Sequence, residues 1–190
     1  IFRGEELLIT TEMVYVFADP ATQTSRPVPA LLRELFTTYE AGAPTCEVRV
    51  GRWDELGAQA RVLRRAVFVD ELKIPAPLDE DPADAEAVHA LVVNRLGHPV
   101  ATARLTRDAA GIARVSRVAV TRLMRSTGIG RTMMQALLQV AAERGDTRVV
   151  LRSQCSAQGF YERLGFLAIG EPVEEAGIPH IDMARVSVRP

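Results

Sequence analysis

The chain has 190 residues, 47% hydrophobic and 25% charged, the balance of an ordinary globular protein with one good core and room for a small appendage. A net charge of −1 gives no electrostatic reason to expect nucleic acid or an anionic membrane as partner. No apolar run approaches the ~20 residues that span a bilayer.

The opening Ile1-Phe-Arg-Gly-Glu-Glu6 turns charged at once, unlike a secretory signal, and starts at what reads as mid-strand, as a fragment or processed product would. Cys46 and Cys155 lie far apart and form no metal-spaced pair, so a reduced, cytoplasmic protein without a metal site is expected. Leu7, Ile9, Thr11, Met13, Tyr15 and Phe17 share one parity, which predicts a long half-buried strand over 5–18. Asp19-Pro20 breaks it, a polar loop follows to Pro27, and Pro29 opens a helix. Ala41-Gly-Ala-Pro44 reads as a linker. The long strand, Asp-Pro, polar loop and Pro-x-x-Leu-Arg resemble the C-terminal end of a YbgC-like hotdog acyl-CoA thioesterase. That family's catalytic acid and central helix are missing, so the resemblance carries no thioesterase site. A strand and helix alone cannot close a hotdog core, so residues 1–45 must pack elsewhere, pair with a second chain as in a homodimer, or fray.

From Cys46 the pattern changes. A short alternating strand, Cys46-Glu-Val-Arg-Val-Gly51, precedes a helix capped by Asp54 and running to about Leu72, with Leu56, Val62, Leu63, Ala66 and Val67 as its apolar stripe. Pro75 and Pro77 end it, and the acidic loop Asp79-Glu-Asp-Pro-Ala-Asp84 follows. Strands are predicted from Val88, from Val100 and through Val115 to Val120, then a helix over 128–143. A strand over 148–152, a short helix around 156–164 and strands over 166–170 and 181–188 complete the order. Together these give an α/β fold (α+β) with one mixed sheet flanked by helices.

Two stretches carry chemistry. In Arg125-Ser-Thr-Gly-Ile-Gly130, glycines meet a helix N-terminus just after a β-branched strand. Unpaired amides and the positive end of the helix dipole there attract phosphate, and Arg125 and Arg131 add charge. The same residues also read as a glycine-rich turn with no ligand. No Gly-Lys-Ser/Thr follows, so it is not a Walker loop, and a third glycine and a downstream acid for a dinucleotide fold are absent. Downstream, Ser156-Ala-Gln-Gly-Phe160-Tyr161-Glu-Arg-Leu-Gly165-Phe166 sets a phenol on a short helix, where it could protonate a departing thiolate or serve only as a core aromatic.

As a pair, Arg-x-x-Gly-x-Gly after one strand and Ala-x-x-Phe-Tyr-x-x-x-Gly-Phe after the next resemble the GNAT superfamily of N-acetyltransferases over residues 46–190. Val67-Phe-Val-Asp-Glu71, the acidic loop, His89, Arg104-Leu105, Arg117-Val-Ala-Val and Glu175-Ala-Gly-Ile-Pro-His180 are similar to its ElaA/YjcF-like branch. Leu72 and Asp79 depart from that branch, which has Gln and Glu there. The resemblance implies a GNAT acyl-CoA N-acyltransferase fold with a mostly antiparallel sheet, and acetyl-CoA as cofactor. It implies backbone contacts to pantetheine from Val118, Ala119 and Val120 on a strand that splays from its neighbour. It further implies pyrophosphate contacts from Arg125, Ser126, Thr127, Gly128, Ile129, Gly130 and Arg131, a polar contact from Ser156, and Tyr161 as general acid.

The acceptor expected is a small-molecule or peptide amine. No carboxylate stands on the strand before the turn, so a water-mediated base from Glu80, Asp81 or His89, or no dedicated base, is expected. The acidic loop reads as a solvated turn or as an attractor for a cationic amine. His89 reads as a core histidine or that base, and His180 as a cleft residue or a pin for the last hairpin. Cys155 reads as a buried thiol rather than a nucleophile. Two rival functions remain at this level, an acyl-CoA thioesterase fused to this domain and a non-catalytic acyl-CoA-binding module.

Overall fold

The computed structural model describes residues 2–12, 14–175 and 177–186, and the chain divides into two compact units, 1–44 and 45–190. In the first unit, β1 (Phe2–Arg3) and β2 (Glu6–Leu7) form a small antiparallel pair. Asp19 Oδ1 accepts from Ala21 N at 2.8 Å, and its carboxylate pairs with Arg26, which sets the turn after it. α1 (Ala30–Glu40) starts behind Pro29, whose fixed φ suits a helix entry.

The long half-buried strand expected over 5–18 is not formed. Among its described residues only Glu6 and Leu7 sit in a ladder, and Ala18 makes one isolated bridge to Ser25. Leu8, Ile9, Val14, Tyr15 and Val16 are exposed, and Met13 lies outside the described residues. Alternation gives a strand a face to bury but no neighbour, and an extended backbone without a ladder partner has nothing to hold its register.

In the second unit, β3 (Cys46–Gly51), β4 (Val88–Asn94), β5 (Pro99–Ala109), β6 (Ile112–Val120), β7 (Arg148–Gln154), β8 (Leu167–Glu175) and β9 (Ile178–Val186) form one sheet. Its order is β3-β4-β5-β6-β7-β9-β8, antiparallel throughout except between β6 and β7. This is the mixed, mostly antiparallel sheet that the order of elements predicts, although β9 begins at Ile178 rather than Ile181 and Val188 lies outside the described residues.

Helices cover both faces. On one, α2 (Trp53–Arg64) sets Leu56 and Ala60 against Leu91 and Val93. On the other, α3 (Ile129–Glu143) and α4 (Gln158–Glu162) share a core with Ala90, Val92 and Leu105. β4 therefore alternates its side chains between two buried faces, which is why 90–93 is apolar without a break. Along α3 the buried Met133, Met134, Leu137, Leu138 and Ala141 follow the helical period. Truncating one, Leu137 for instance, costs about 2–5 kcal/mol at such a site.

α2 starts one residue before the expected cap. Arg52 holds the cap position and its N–H donates to Glu55 Oε2 at 3.1 Å, while Asp54 sits inside the first turn, where the helix dipole favours a carboxylate. Beyond Arg64 the helix widens into a π-helical stretch, Arg65–Glu71, with Leu72 N bonded to Val67 O at 3.0 Å.

The acidic loop is neither a solvated turn nor a free attractor for cations. Asp79 and Asp84 are only 9% and 4% exposed. Arg64 donates Nε to Asp79 Oδ1 and Nη1 to Asp84 Oδ2, each at 2.9 Å, and Nη2 to the Asp79 carbonyl. Arg104 of β5 donates Nη1 to Asp84 Oδ1 at 2.9 Å and Nε to Ser116 Oγ of β6 at 3.0 Å, and lies 2.8 Å from Asp81 Oδ2. A buried arginine stripped of its carboxylate carries an uncompensated charge. Asp84→Ala is therefore expected to lower unfolding free energy by about 3–5 kcal/mol in urea titration, whereas Glu80→Ala, on the exposed part of the loop, should stay within about 0.5 kcal/mol. Equal, small effects from both would show that the cluster does not hold the loop.

Candidate active site

The parallel ladder between β6 and β7 runs from Ile112↔Arg148 to Val115↔Leu151 and stops. Each strand continues past that point on its outer side. β6 stays paired with β5 up to Val120↔Ala101, and β7 with β9 up to Gln154↔His180. Residues 116–120 and 152–154 are thus held in the sheet by their outer neighbours while their inner edges face an open slot. Arg117 and Val118 stand together opposite Ala103 as a β-bulge, between the pairs Arg104↔Ser116 and Thr102↔Ala119. Arg117 takes a left-handed φ of 54°, a conformation costing a side-chain-bearing residue roughly 1–2 kcal/mol. Val118 and Val120 are half-buried and Ala119 is buried.

At the end of β6 a 3-10 turn, Arg122–Met124, leads into 125–128 and then α3. Ser126 is left-handed at φ 64°, and Gly128 occupies the helix cap at φ 91°. The first helical bond is Thr132 N to Gly128 O at 3.1 Å, and the N–H groups of Gly128, Ile129, Gly130 and Arg131 take no backbone partner among the described residues. Four donors at the positive end of a 15-residue helix make a cradle of the kind that can hold an anion. The two glycines differ in role. At Gly128 a side chain has room but the φ excludes it, while at Gly130 an added Cβ would lie 3.4 Å from the Phe160 ring. Gly130 thus brings the start of α3 against α4. Thr127 Oγ1 donates to Met124 O at 2.7 Å, which closes the turn.

Arg125 departs from its expected use. Its Nη1 and Nη2 make a bidentate pair with Glu71 at 2.7 Å each, and Nε donates to Val120 O at 3.1 Å. The Arg125 guanidinium holds the Glu71 carboxyl below its ordinary pKa. Its charge is matched within the chain, and its evident task is to tie the end of the π-helical stretch to the end of β6. Among the described residues Arg131 has no such partner.

Tyr161 lies on α4, which follows the far end of β7 through the short turn Cys155–Ala157. Its ring is edge-on to Phe160 at 4.9 Å and to Phe166 at 6.0 Å, and the residue is 7% exposed. Burial pushes its phenol up to about 12. Ser156 is exposed in that same turn, and Cys155 is half-buried rather than buried.

On the acceptor side the four expected residues separate. His89 is 1% exposed, stacks at a tilt on Trp53 at 4.8 Å, and its Nε2 lies 2.9 Å from Asp84 O, which places the ring proton on Nε2. Burial pushes its pKa down, toward the neutral form. It is a satisfied core histidine, buried away from solvent. Asp81 is spent on Arg104 and on the Ala83 amide. Glu80 is exposed and forms no ion pair among the described residues. His180 is half-buried on β9 opposite Gln154, with Nδ1 2.8 Å from Ile178 O.

Arg117 and Glu71 carry roles that spacing does not reveal. Arg117 donates Nη2 to Leu78 O at 3.1 Å, while its Nε, buried and without a hydrogen-bond partner, lies 3.7 Å from Asp79 Oδ1. Burial, with Arg104 and Arg64 close by, pushes its pKa down. Both residues stand within motifs of the resemblance, and that is the only signal in the sequence that points to them.

A family model described as an acetyltransferase (GNAT) domain matches residues 57–187. The chain is similar to the uncharacterized N-acetyltransferase YjcF of Bacillus subtilis, 31% identical over 137 residues that make up 72% of this chain and 96% of that protein. Among solved structures, a putative N-acetyltransferase from Lactobacillus plantarum superimposes with a TM-score of 0.71 at 29% identity, covering 76% of this chain and all of that one. Escherichia coli ElaA superimposes with a TM-score of 0.67 at 32% identity, covering 74% of this chain and 99% of that one. With the parted β6 and β7 and the anion cradle beside them, these similarities identify the chain as an acyl-CoA-dependent N-acyltransferase that belongs to the GNAT acetyltransferase family.

Proposed function

We propose that the protein transfers an acetyl group from acetyl-CoA to the primary amine of a small molecule or peptide, by direct attack and in the cytoplasm. The observation that carries this reading is the continuity of the open β6–β7 slot with the unpaired N–H groups at the start of α3. A pantetheine arm is a short amide chain and would pair with free strand-edge groups of residues 116–120. A pyrophosphate needs several converging donors, which Gly128 to Arg131 offer. An amide at the Val118 bulge would polarise the acyl carbonyl and stabilise the oxyanion. Fixing amine and thioester side by side supplies much of the acceleration.

Tyr161 is the proton donor to the CoA sulfur in this reading, and Ser156 a polar contact to the cofactor. Of the carboxylates in the acidic loop only Glu80 is left for a water-mediated base, since Asp79, Asp81 and Asp84 are ion-paired.

Three outcomes test the assignment. Tyr161→Phe should lower kcat by about 10²-fold or more while leaving CoA affinity unchanged, and normal turnover would remove Tyr161 from the mechanism. With burial holding the phenol at about 12, the rate should rise as the amine loses its proton and show no falling limb through pH 10. A falling limb below that, absent from Tyr161→Phe, would show a phenol of ordinary acidity. Gly128→Glu should abolish CoA binding in calorimetry while circular dichroism stays native, and retained binding would sink the cradle. The turnover assay for the first two is a screen of amines and peptides with detection of released CoA thiol. Acetate released at the same rate without any amine would mean hydrolysis, and binding with no transfer to any amine a non-catalytic module.

A further inference from the structure

β8 is an outer strand of the seven-stranded sheet, paired with β9 on one side only. Every residue from Leu167 to Glu175 is exposed. Such an edge presents a row of N–H and C=O groups to any second strand that can reach it. Pro172, which has no N–H to give, and a register shift between Ile169 and Val173 interrupt the middle of the strand. Ladder pairs with β9 resume on either side of that break. Leu167, Ile169 and Val173 stand opposite Ala184, Asp182 and His180, which alternate along β9, so the three share one face of the sheet. They are 74%, 42% and 45% exposed.

The charges of this edge are sorted by end. Towards the Glu175 end, Glu171 and Glu174 form no ion pair or side-chain hydrogen bond among the described residues. At the Leu167 end, Arg163, just past α4, and Arg185 of β9 are unmatched in the same way, whereas Arg64, Arg104, Arg114, Arg125, Arg144 and Arg152 all pair with carboxylates. Arg163 and Arg185 line one groove that holds no Asp or Glu. A Cβ added at Gly165 would lie 3.6 Å from Arg185 Nε, so that guanidinium reaches the turn before β8. Glu174 pairs with Pro179, which has the same parity on β9 as Arg185, so Glu174 and Arg185 lie on one face, opposite to that of Leu167, Ile169 and Val173. A strand edge that is acidic at one end and basic at the other is complementary to itself turned around.

We propose that two copies of the chain pair edge to edge through β8, antiparallel about a two-fold axis near Gly170. Glu174 of each copy then meets the Arg163 and Arg185 end of the other, twice by symmetry, and Leu167 and Ile169 of each meet Val173 of the other on the opposite face. A parallel pairing would set Glu against Glu and Arg against Arg, so the same charges that draw the antiparallel pair together reject the alternative.

Sedimentation velocity of the full chain over a range of concentrations tests this. Wild type should approach twice the mass of one chain and dissociate on dilution. Ile169→Lys/Val173→Lys should sediment as a monomer, with native circular dichroism and unchanged CoA binding. Glu174→Arg sets arginine against arginine, and Arg163→Glu/Arg185→Glu sets glutamate against glutamate. Each should raise the dimer dissociation constant about tenfold or more. Mixing those two variants in equal amounts should restore association, because both contacts of the mixed dimer then join Arg to Glu. A wild type that stays monomeric throughout overturns the pairing. A dimer that survives Ile169→Lys/Val173→Lys also overturns it, since it forms through another surface. Charge variants that leave the dimer unchanged, or weaken it without recovery on mixing, overturn the antiparallel arrangement.

Discussion

One parallel strand pair inside an antiparallel sheet sets the layout of the active site. Antiparallel neighbours can be joined by tight turns, but β6 and β7 run the same way and need a crossover. That crossover is α3, so the helix must start where β6 ends. Its N-terminus, with its unpaired N–H groups, therefore falls at the same end of the sheet as the C-terminal halves of both strands. The ladder ends at Val115 and Leu151, which opens the slot at that end and no other. Opening it costs the hydrogen bonds that residues 116–120 and 152–154 would otherwise share. Pairing with β5 and β9 on the outer sides keeps each strand extended despite that loss. An unpaired strand edge running up to a set of free helix N–H groups follows from topology before any side chain is considered.

Side chains then fix the other flank of the open β6 segment. Arg64, Arg104 and Arg117 meet Asp79, Asp81 and Asp84 in a cluster that joins α2, the acidic loop, β5 and β6. Three cations face three carboxylates, so the cluster presents little net charge and does not draw in a cationic amine. Burying charge, here Arg64, Arg104, Asp79 and Asp84 with Asp81 and Arg117 half-buried beside them, adds little stability by itself. Its clearer effect is geometric, because it holds the loop against the bulge at Arg117 and Val118 through Ser116 and the Leu78 carbonyl. The Glu71–Arg125 pair ties the π-helical stretch to the end of β6 in the same way. The two ties bracket the open segment of β6, one at its bulge and one at its end.

Most of the sheet was legible in the sequence because β-branched runs, glycine turns and helical periodicity are local signals, and in 46–190 every predicted strand has a neighbour to pair with, even the exposed β8 at the sheet edge. The alternating stretch at 5–18 has the same local signal and forms no long strand, because alternation carries no information about a partner. Charge was the least legible feature. Asp79 and Asp84 look solvated in Asp79-Glu-Asp-Pro-Ala-Asp84, and only the fold brings Arg64 and Arg104 to within 2.9 Å of them. Arg125 looked like a phosphate ligand for the same reason, since the sequence does not show that Glu71, 54 residues earlier, already occupies it. The turn itself was readable, because glycine at φ 91° before a helix is a property of the turn alone.

The proposed proton donor sharpens what the reaction requires. Burial raises the Tyr161 phenol to about 12, well above an ordinary thiol near 8.5, so a complete transfer from phenol to thiolate would run uphill by roughly 5 kcal/mol and leave a phenolate in a dry core. A donor of that kind serves as a hydrogen bond to charge growing on sulfur, and yields its proton only if another arrives. The attacking amine supplies one. On joining the acyl carbon its nitrogen becomes positively charged and strongly acidic, and the proton it sheds balances the one the sulfur takes up. With no carboxylate among residues 113–120 to collect that proton, the proposed mechanism leaves it to water or to Glu80. In the proposed mechanism a buried phenol thus holds the acid end of the reaction, a mobile carrier serves the base end, and the amine reaches the slot already neutral.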